Sequence, residues 1–219
     1  MITANKILTK KDVEWAKKII AERNYRVNYP HIDLWDKDDA CVKWMSVLEM
    51  FESLQKSNLK VIDMGCGTGC TPHIISDMNN DVVAIDSYYD YHFCKNSNVN
   101  MIKSDIFDYL KNVENETYDV AIDVCAVTHF DTRYDSEIEN YGWKKIADEA
   151  YRILKKNGRF IISSDCSISS SSGEFINPKT IIKLIESSGL KLDGYYRENS
   201  EDDFKVIGYL NVVSLSFVK

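Results

Sequence analysis

Asp63, Gly65, Gly67 and Gly69 occupy alternate positions of the run Val61-Ile62-Asp63-Met64-Gly65-Cys66-Gly67-Thr68-Gly69, the strongest chemical signal in the chain. Three glycines separated by single side chains let the backbone adopt conformations closed to other residues and approach a ligand closely. An apolar run precedes the turn and helix-compatible residues follow from Cys70, so its amides sit at a helix N-terminus, where an anionic group is favoured. The spacing narrows the ligand. A dinucleotide fingerprint needs G-x-G-x-x-G, whereas here the third glycine comes one residue early. A second carboxylate ends the apolar run Val82-Val83-Ala84-Ile85-Asp86 and can accept hydrogen bonds from both hydroxyls of a ribose. His129, whose ordinary pKa lies near neutrality, can take a proton from a hydroxyl or an amine.

These residues need elements to hold them. Strands are expected over 60–63, 82–86, 99–102, 119–124, 159–164, 191–197 and 206–218, the fourth a continuous apolar run suited to a central strand. Before the first strand, one helix is expected after a Thr9 cap, with Val13, Ala16 and Ile20 on one face. A second opens at Asp38 or Asp39 and carries Cys41, Trp44, Met45, Leu48 and Phe51 as an apolar stripe. Between them, residues 25–35 form an aromatic-rich loop. Later helices are expected near 71–78, over 143–154 with Asn157-Gly158 as its stop, and over 181–188 after Pro178. Residues 87–95 read as a weak helix or loop, and the serine-rich 163–172 as a flexible loop. Strand–helix alternation predicts a parallel sheet covered on both faces, with ligands at the carboxyl ends of the strands. The last two strands have no helix between them, so they pair as a hairpin and the final strand runs antiparallel.

Composition excludes several classes. The chain has 219 residues, ample for one domain with a core, and a formal charge of −7. Its lysine pairs are scattered among acidic residues, unlike the concentrated basic footprint of a nucleic-acid binder. No apolar run is long enough to span a membrane, and residues 1–6 lack the apolar segment of a signal peptide, so a cytoplasmic protein is expected. The six cysteines show no C-x-x-C spacing, and no metal site is expected.

In order and at natural spacing, the segments from Lys60 to Lys219 resemble class I S-adenosylmethionine-dependent methyltransferases. The run D-x-G-x-G-x-G is similar to that family's first motif, and Val82–Asp86 to its second strand ending in an acidic residue. Lys103-Ser104-Asp105-Ile106 is similar to the segment whose acidic residue takes the adenine amino group. Val127-Thr128-His129-Phe130 resembles an L-E-H-V ending after the fourth strand. Leu154-Lys155-Lys156-Asn157-Gly158-Arg159-Phe160-Ile161-Ile162 resembles L-K-P-G-G-x-L-x-I, with Lys156 and Asn157 in place of proline and the first glycine. The resemblance implies an α/β fold: a single Rossmann-like, doubly wound sheet of seven strands, mostly parallel with an antiparallel last strand and helices on both faces. It also implies one domain over 1–219, in which 1–58 is an N-terminal helical cap and 59–219 the cofactor-binding core.

The implied cofactor is S-adenosylmethionine, held by Asp63, Gly65, Cys66, Gly67, Gly69, Asp86, Ser87, Ser104, Asp105, Ile106, Asp123 and Val124. The implied reaction moves a methyl group to oxygen or nitrogen of a small-molecule acceptor, with His129 as general base. Tyr25, Tyr29 and Trp35 are candidates to line the acceptor pocket, since a helical N-terminal segment often folds over the cofactor in this family. No N-P-P-Y-like or D-P-P-Y-like motif follows the fourth strand, which argues against methylation of adenine or of a glutamine side chain. Alternatives are a non-catalytic S-adenosylmethionine-binding partner protein and an aminopropyltransferase-like enzyme. A nicotinamide-dependent oxidoreductase shares Asp86 but is opposed by the glycine spacing and the terminal hairpin. Neither the acceptor nor the oligomeric state is legible.

Overall fold

The computed structural model describes residues 7–30, 32–88, 98–127, 141–166, 178–195 and 206–219. The chain opens with β1 (Ile7–Thr9), α1 (Lys10–Glu22), α2 (Tyr25–Asn28), a 3-10 turn (Asp33–Asp36) and α3 (Asp38–Glu52). Alternation then begins: β2 (Lys60–Met64), α4 (Cys70–Asp77), β3 (Asp81–Asp86), β4 (Val99–Lys103), α5 (Ile106–Leu110) and β5 (Tyr118–Val124). It continues through α6 (Tyr141–Ile153), β6 (Leu154–Cys166), α7 (Pro178–Glu186), β7 (Lys191–Tyr195) and β8 (Val206–Val218).

The sheet runs β4-β3-β2-β5-β6-β8, and the outer edge of β8 is shared by β7 and β1. Strands β4, β3, β2, β5 and β6 are parallel to one another, while β8 is antiparallel to β6, β7 and β1. The expected seven strands with one reversed are all there. The short β1 is an addition: Ile7 and Thr9 pair with β8 at Asn211 and Val206, beyond the stretch that β7 covers. A long strand pairs along more length than β7 can cover, and three residues are too few for an alternating signal to show in sequence.

Successive strand side chains point to opposite faces, and each face has its own core. Val61, Val120, Ile122 and Ile161 pack with Trp44, Met45, Leu48 and Ile75 under α3 and α4. Ile62, Ala121, Phe160 and Ile162 pack with Trp143, Ile146, Ile181 and Ile185 under α6 and α7. Helix α3 is buried on nearly every side. A serine ladder helps dock it: Ser46 Oγ meets Ser214 Oγ at 2.8 Å, which meets Ser163 Oγ at 2.7 Å.

A local expectation is corrected. Helix α6 ends at Ile153, before Asn157-Gly158, because Thr117 N–H bonds the Ile153 carbonyl and Leu154 already pairs with Tyr118 in the sheet. Asn157-Gly158 lies instead within β6, where Asn157 takes φ 63° and the β5–β6 register shifts. Helix α5 is a further addition. The Asp105 carboxylate accepts from the N–H groups of Phe107 (2.9 Å) and Asp108 (3.2 Å), a cap that nucleates one short helical segment after β4.

Candidate cofactor and acceptor site

From β2 the chain adds strands outward to β3 and β4, then returns to add β5 and β6 on the other side. The carboxyl ends of β2 and β5 therefore border a crevice at the point where the order reverses. A cleft of about 610 Å³ opens there, within the range of about 300–1,000 Å³ of small-molecule sites.

One half of the cleft is built from the glycine turn. Gly65, Gly67 and Gly69 all have positive φ (93°, 52° and 77°), a region that side chains disfavour. Their neighbourhoods differ. A Cβ on Gly65 would stand 2.1 Å from Ala126 Cβ, so this glycine lets the turns after β2 and β5 touch; a Cβ on Gly67 would meet nothing within 4 Å. Gly67 N–H bonds Asp86 Oδ2 at 3.0 Å and Tyr88 N–H bonds Asp86 Oδ1 at 2.9 Å. The carboxylate that ends β3 is thereby fixed in orientation beside the turn.

Beneath the turn lie two buried carboxyl groups. Asp63 is 1% exposed, and its Oδ1 has no hydrogen-bond partner among the described residues. Burial, with the charges of Asp123 and Asp86, raises its pKa well above the carboxylate range. Asp123 is fully buried; its Oδ1 accepts from Ala126 N–H (3.0 Å) and Val127 N–H (3.3 Å), whereas its Oδ2 has no partner among the described residues. Burial pushes its pKa up to about 7 against those two bonds. An orphaned acid oxygen on a cleft wall suits a cationic ligand group, and the open space over Gly67 suits a ligand that must come close to backbone. The residues present thus fit the amino-acid end of S-adenosylmethionine, and Asp86 fits its ribose.

The other half comes from α3. Asp39, Ala40, Lys43 and Trp44 share one face of the helix and line the cleft, with Lys37 just before it. Lys43 has a side chain only 7% exposed. Its Nζ bonds both oxygens of Asp165, at 3.0 Å each, and lies 3.2 Å from Asp39 Oδ2 and 3.4 Å from Cys125 Sγ. Cys125 donates to Asp165 Oδ2 at 3.0 Å and holds φ 64° directly after β5. Burial opposes the lysine charge, but the sulfur and the two carboxylates outweigh it and its pKa is raised.

Of the twelve residues expected to bind cofactor, Asp63, Gly65, Cys66, Gly67, Asp86, Ser87, Ser104, Asp105, Ile106 and Val124 line this cleft. Gly69 stands behind it as the residue before α4, and Asp123 supports the turn after β5 from below. The three aromatic candidates for the acceptor pocket are not brought to the cleft. Tyr25, Tyr29 and Trp35 are buried in the packing between the N-terminal helices and the sheet. Their own partners explain it: Tyr29 Oη bonds the Asp77 carboxylate, Trp35 Nε1 donates to the Tyr29 carbonyl at 3.2 Å, and Tyr25 stacks on Trp35. Trp35 meets Trp44 edge to face at 5.4 Å, so it backs the residue that does line the wall. His129 lies outside the described residues, as does Cys94.

Asp39, Lys43, Trp44, Tyr88, Cys125 and Ala126 were missed as lining residues. A signal existed for Lys43, a lysine inside the otherwise apolar Cys41-Val42-Lys43-Trp44-Met45 with an acid four residues earlier. Nothing in sequence order connects it with Asp165 or Cys125.

Comparison with known proteins agrees with this geometry. A protein-family model described as a methyltransferase domain matches residues 55–198, well over half of the chain. No curated protein matches it. Among solved structures, the chain is similar to 1,6-didemethyltoxoflavin N1-methyltransferase of Burkholderia thailandensis, crystallised with 1,6-didemethyltoxoflavin and S-adenosylhomocysteine. The TM-score is 0.61 at 15% identity, covering 94% of this chain and 89% of that one. It is similar also to a TehB-like S-adenosylmethionine-dependent methyltransferase of Corynebacterium glutamicum (TM-score 0.57, 15% identity, 94% and 99% covered). A third is an S-adenosylmethionine-dependent methyltransferase of Archaeoglobus fulgidus (TM-score 0.59, 15% identity, 90% and 99% covered). At such identities the likeness speaks for the fold, and the family match speaks for the activity. The chain belongs to the methyltransferase-domain family, and its fold is that of the S-adenosylmethionine-dependent methyltransferases it is similar to.

Proposed function

We propose that the enzyme methylates an oxygen or nitrogen atom of a small-molecule acceptor. The observation that carries this reading is a cleft of small-molecule size, with the glycine turn and Asp86 on one side and the α3 face on the other. The net charge of −7 supports a small molecule over a nucleic acid. Among the described residues, no helix is long and apolar enough to cross a membrane.

In this reading the turn amides meet the methionyl carboxylate, and Asp63 faces the methionyl ammonium. Asp86 accepts from the ribose hydroxyls, while Ser104, Asp105 and Ile106 border the adenine. The cofactor supplies a methyl group already activated on a sulfonium. What remains for the chain is alignment of the acceptor with that methyl and removal of a proton. Val124 and Cys125 border the place where the two meet, and His129, a few residues further on, takes the proton.

A thermal-shift comparison tests the cofactor half. S-adenosylhomocysteine at a hundredfold excess over its dissociation constant is expected to stabilise the fold by about 2.7 kcal/mol, and NAD is not. A screen of hydroxyl- and amine-bearing small molecules with methyl-labelled cofactor tests the acceptor half. Cofactor binding with label passing only to a macromolecule would contradict the proposal.

A further inference from the structure

We propose that the acceptor is an amine, held as its ammonium form by Asp39 on the α3 wall of the cleft; this rests on the methyl-transfer reading above. Lys43 is the buried cation among the described residues of this wall, and it is already fully engaged: hydrogen bonds to both oxygens of Asp165 at 3.0 Å and to Cys125 Sγ at 3.4 Å use the three donors of an ammonium, and Asp39 Oδ2 pairs with its charge at 3.2 Å. Two carboxylates on one ammonium leave one negative charge in excess. Lys37, the other cation among the described residues that line the cleft, is exposed, where solvent and salt screen it.

Among the described residues of this cluster, that excess charge is reachable at Asp39. The Asp165 side chain is 11% exposed and does not line the cleft, whereas Asp39 lines it with a side chain 34% exposed. A carboxylate bears only acceptor atoms, so this wall selects a group rich in donors. Trp44 lies on the same helix face and lines the same space, offering an aromatic surface of the kind that attracts an ammonium. Asp39 is also steadied in place, since its partner Lys43 is pinned from behind by β6 through Asp165. An anionic acceptor finds the reverse: Lys43, the buried cation among the described residues of this wall, is saturated, and a carboxylate stands in front of it. The ammonium must lose one proton before its nitrogen can attack, which is the task given above to His129.

Binding to the full chain loaded with S-adenosylhomocysteine tests this without knowledge of the natural acceptor. The probes are benzylamine, phenethylamine and tryptamine, each set against the carboxylate of the same skeleton. At least one amine is expected to bind, and its carboxylate counterpart is not. Asp39→Asn is expected to weaken the amine by about tenfold or more, the loss of one charge-assisted bond, and Asp39→Glu to recover much of it. The partly exposed position of Asp39 makes both variants compatible with folding, and an S-adenosylhomocysteine titration on each verifies that. Three results overturn the proposal: carboxylates bind in preference to amines; Asp39→Asn leaves amine affinity unchanged; or neither series binds while S-adenosylhomocysteine does. Failure of S-adenosylhomocysteine itself to bind the native chain is a different result, and defeats the methyl-transfer reading on which the proposal rests.

Discussion

Replacing Gly65 or Gly67 by alanine adds the same methyl group two residues apart and is expected to give opposite phenotypes. At Gly65 the new Cβ would stand 2.1 Å from Ala126 Cβ, against about 3.5–4.0 Å for carbon atoms in contact. Overpacking of this kind costs about 1–3 kcal/mol, and φ 93° adds about 1–2 kcal/mol for a residue with a side chain. Together they remove a large share of a typical 5–15 kcal/mol of stability. At Gly67 nothing lies within 4 Å and φ is 52°, so only the backbone cost of about 1 kcal/mol applies, a few degrees in Tm for a chain of this size. Urea denaturation and S-adenosylhomocysteine calorimetry separate the two. Gly65→Ala is expected to lose stability, and Ala126→Gly added to it to restore the steric part, because that substitution deletes the atom being struck. Gly67→Ala is expected to stay folded and lose S-adenosylhomocysteine affinity by tenfold or more, its methyl filling the space kept open for the ligand. Equal destabilisation by both substitutions, absence of rescue at position 126, or undiminished binding by Gly67→Ala would refute this account of the turn.

Further outcomes follow from the same geometry. Asp86→Ala removes two charge-assisted ribose contacts at about 1.5–3 kcal/mol each, along with the brace on Gly67 N–H; calorimetry is expected to show S-adenosylhomocysteine affinity falling at least a hundredfold. Asp123 titrates near pH 7 in the fold and near pH 4 when unfolded. The native state therefore binds the extra proton in that window, and stability falls as pH rises through it. Asp123→Asn keeps an oxygen for Ala126 and Val127 N–H and is expected to narrow the stability gap between pH 5 and pH 8 by a few kcal/mol in denaturant titrations; an unchanged gap counts against the buried acid. Lys43→Met strands Asp165 without its cation and is expected to cost about 3–5 kcal/mol in the same assay, most of it recovered by adding Asp165→Leu. Finally, a ligand ammonium beside Asp63 favours its ionised form, so S-adenosylhomocysteine binding is expected to release a proton. Calorimetry in buffers of differing ionisation heat detects it, and a binding heat independent of buffer contradicts it.

Much of this protein is dictated locally. The glycine turn needs no partner to be recognised, because positive φ at three alternate positions is a property of glycine itself. The strands that flank it are apolar on both faces, since both faces are covered, and Asp86 is placed by the length of β3. These features, with the missing helix between the last two strands, declared the fold, the reversed last strand and ten of the lining residues. What sequence order could not supply is whatever depends on segments far apart in the chain. Lys43, Cys125 and Asp165 are separated by 82 and 40 positions, and only the docking of α3 over the ends of β5 and β6 makes them one cluster. The aromatic residues of the cap show the same limit from the other side. Their composition suits a pocket wall or a core equally, and the choice fell to the partners each ring found: Asp77 for Tyr29, the Tyr29 carbonyl for Trp35, and Trp35 for Tyr25. Burial of those rings left the wall to the face of α3 that carries Asp39, Lys43 and Trp44, because a helix packed on nearly every side can turn only its remaining stripe toward a cleft.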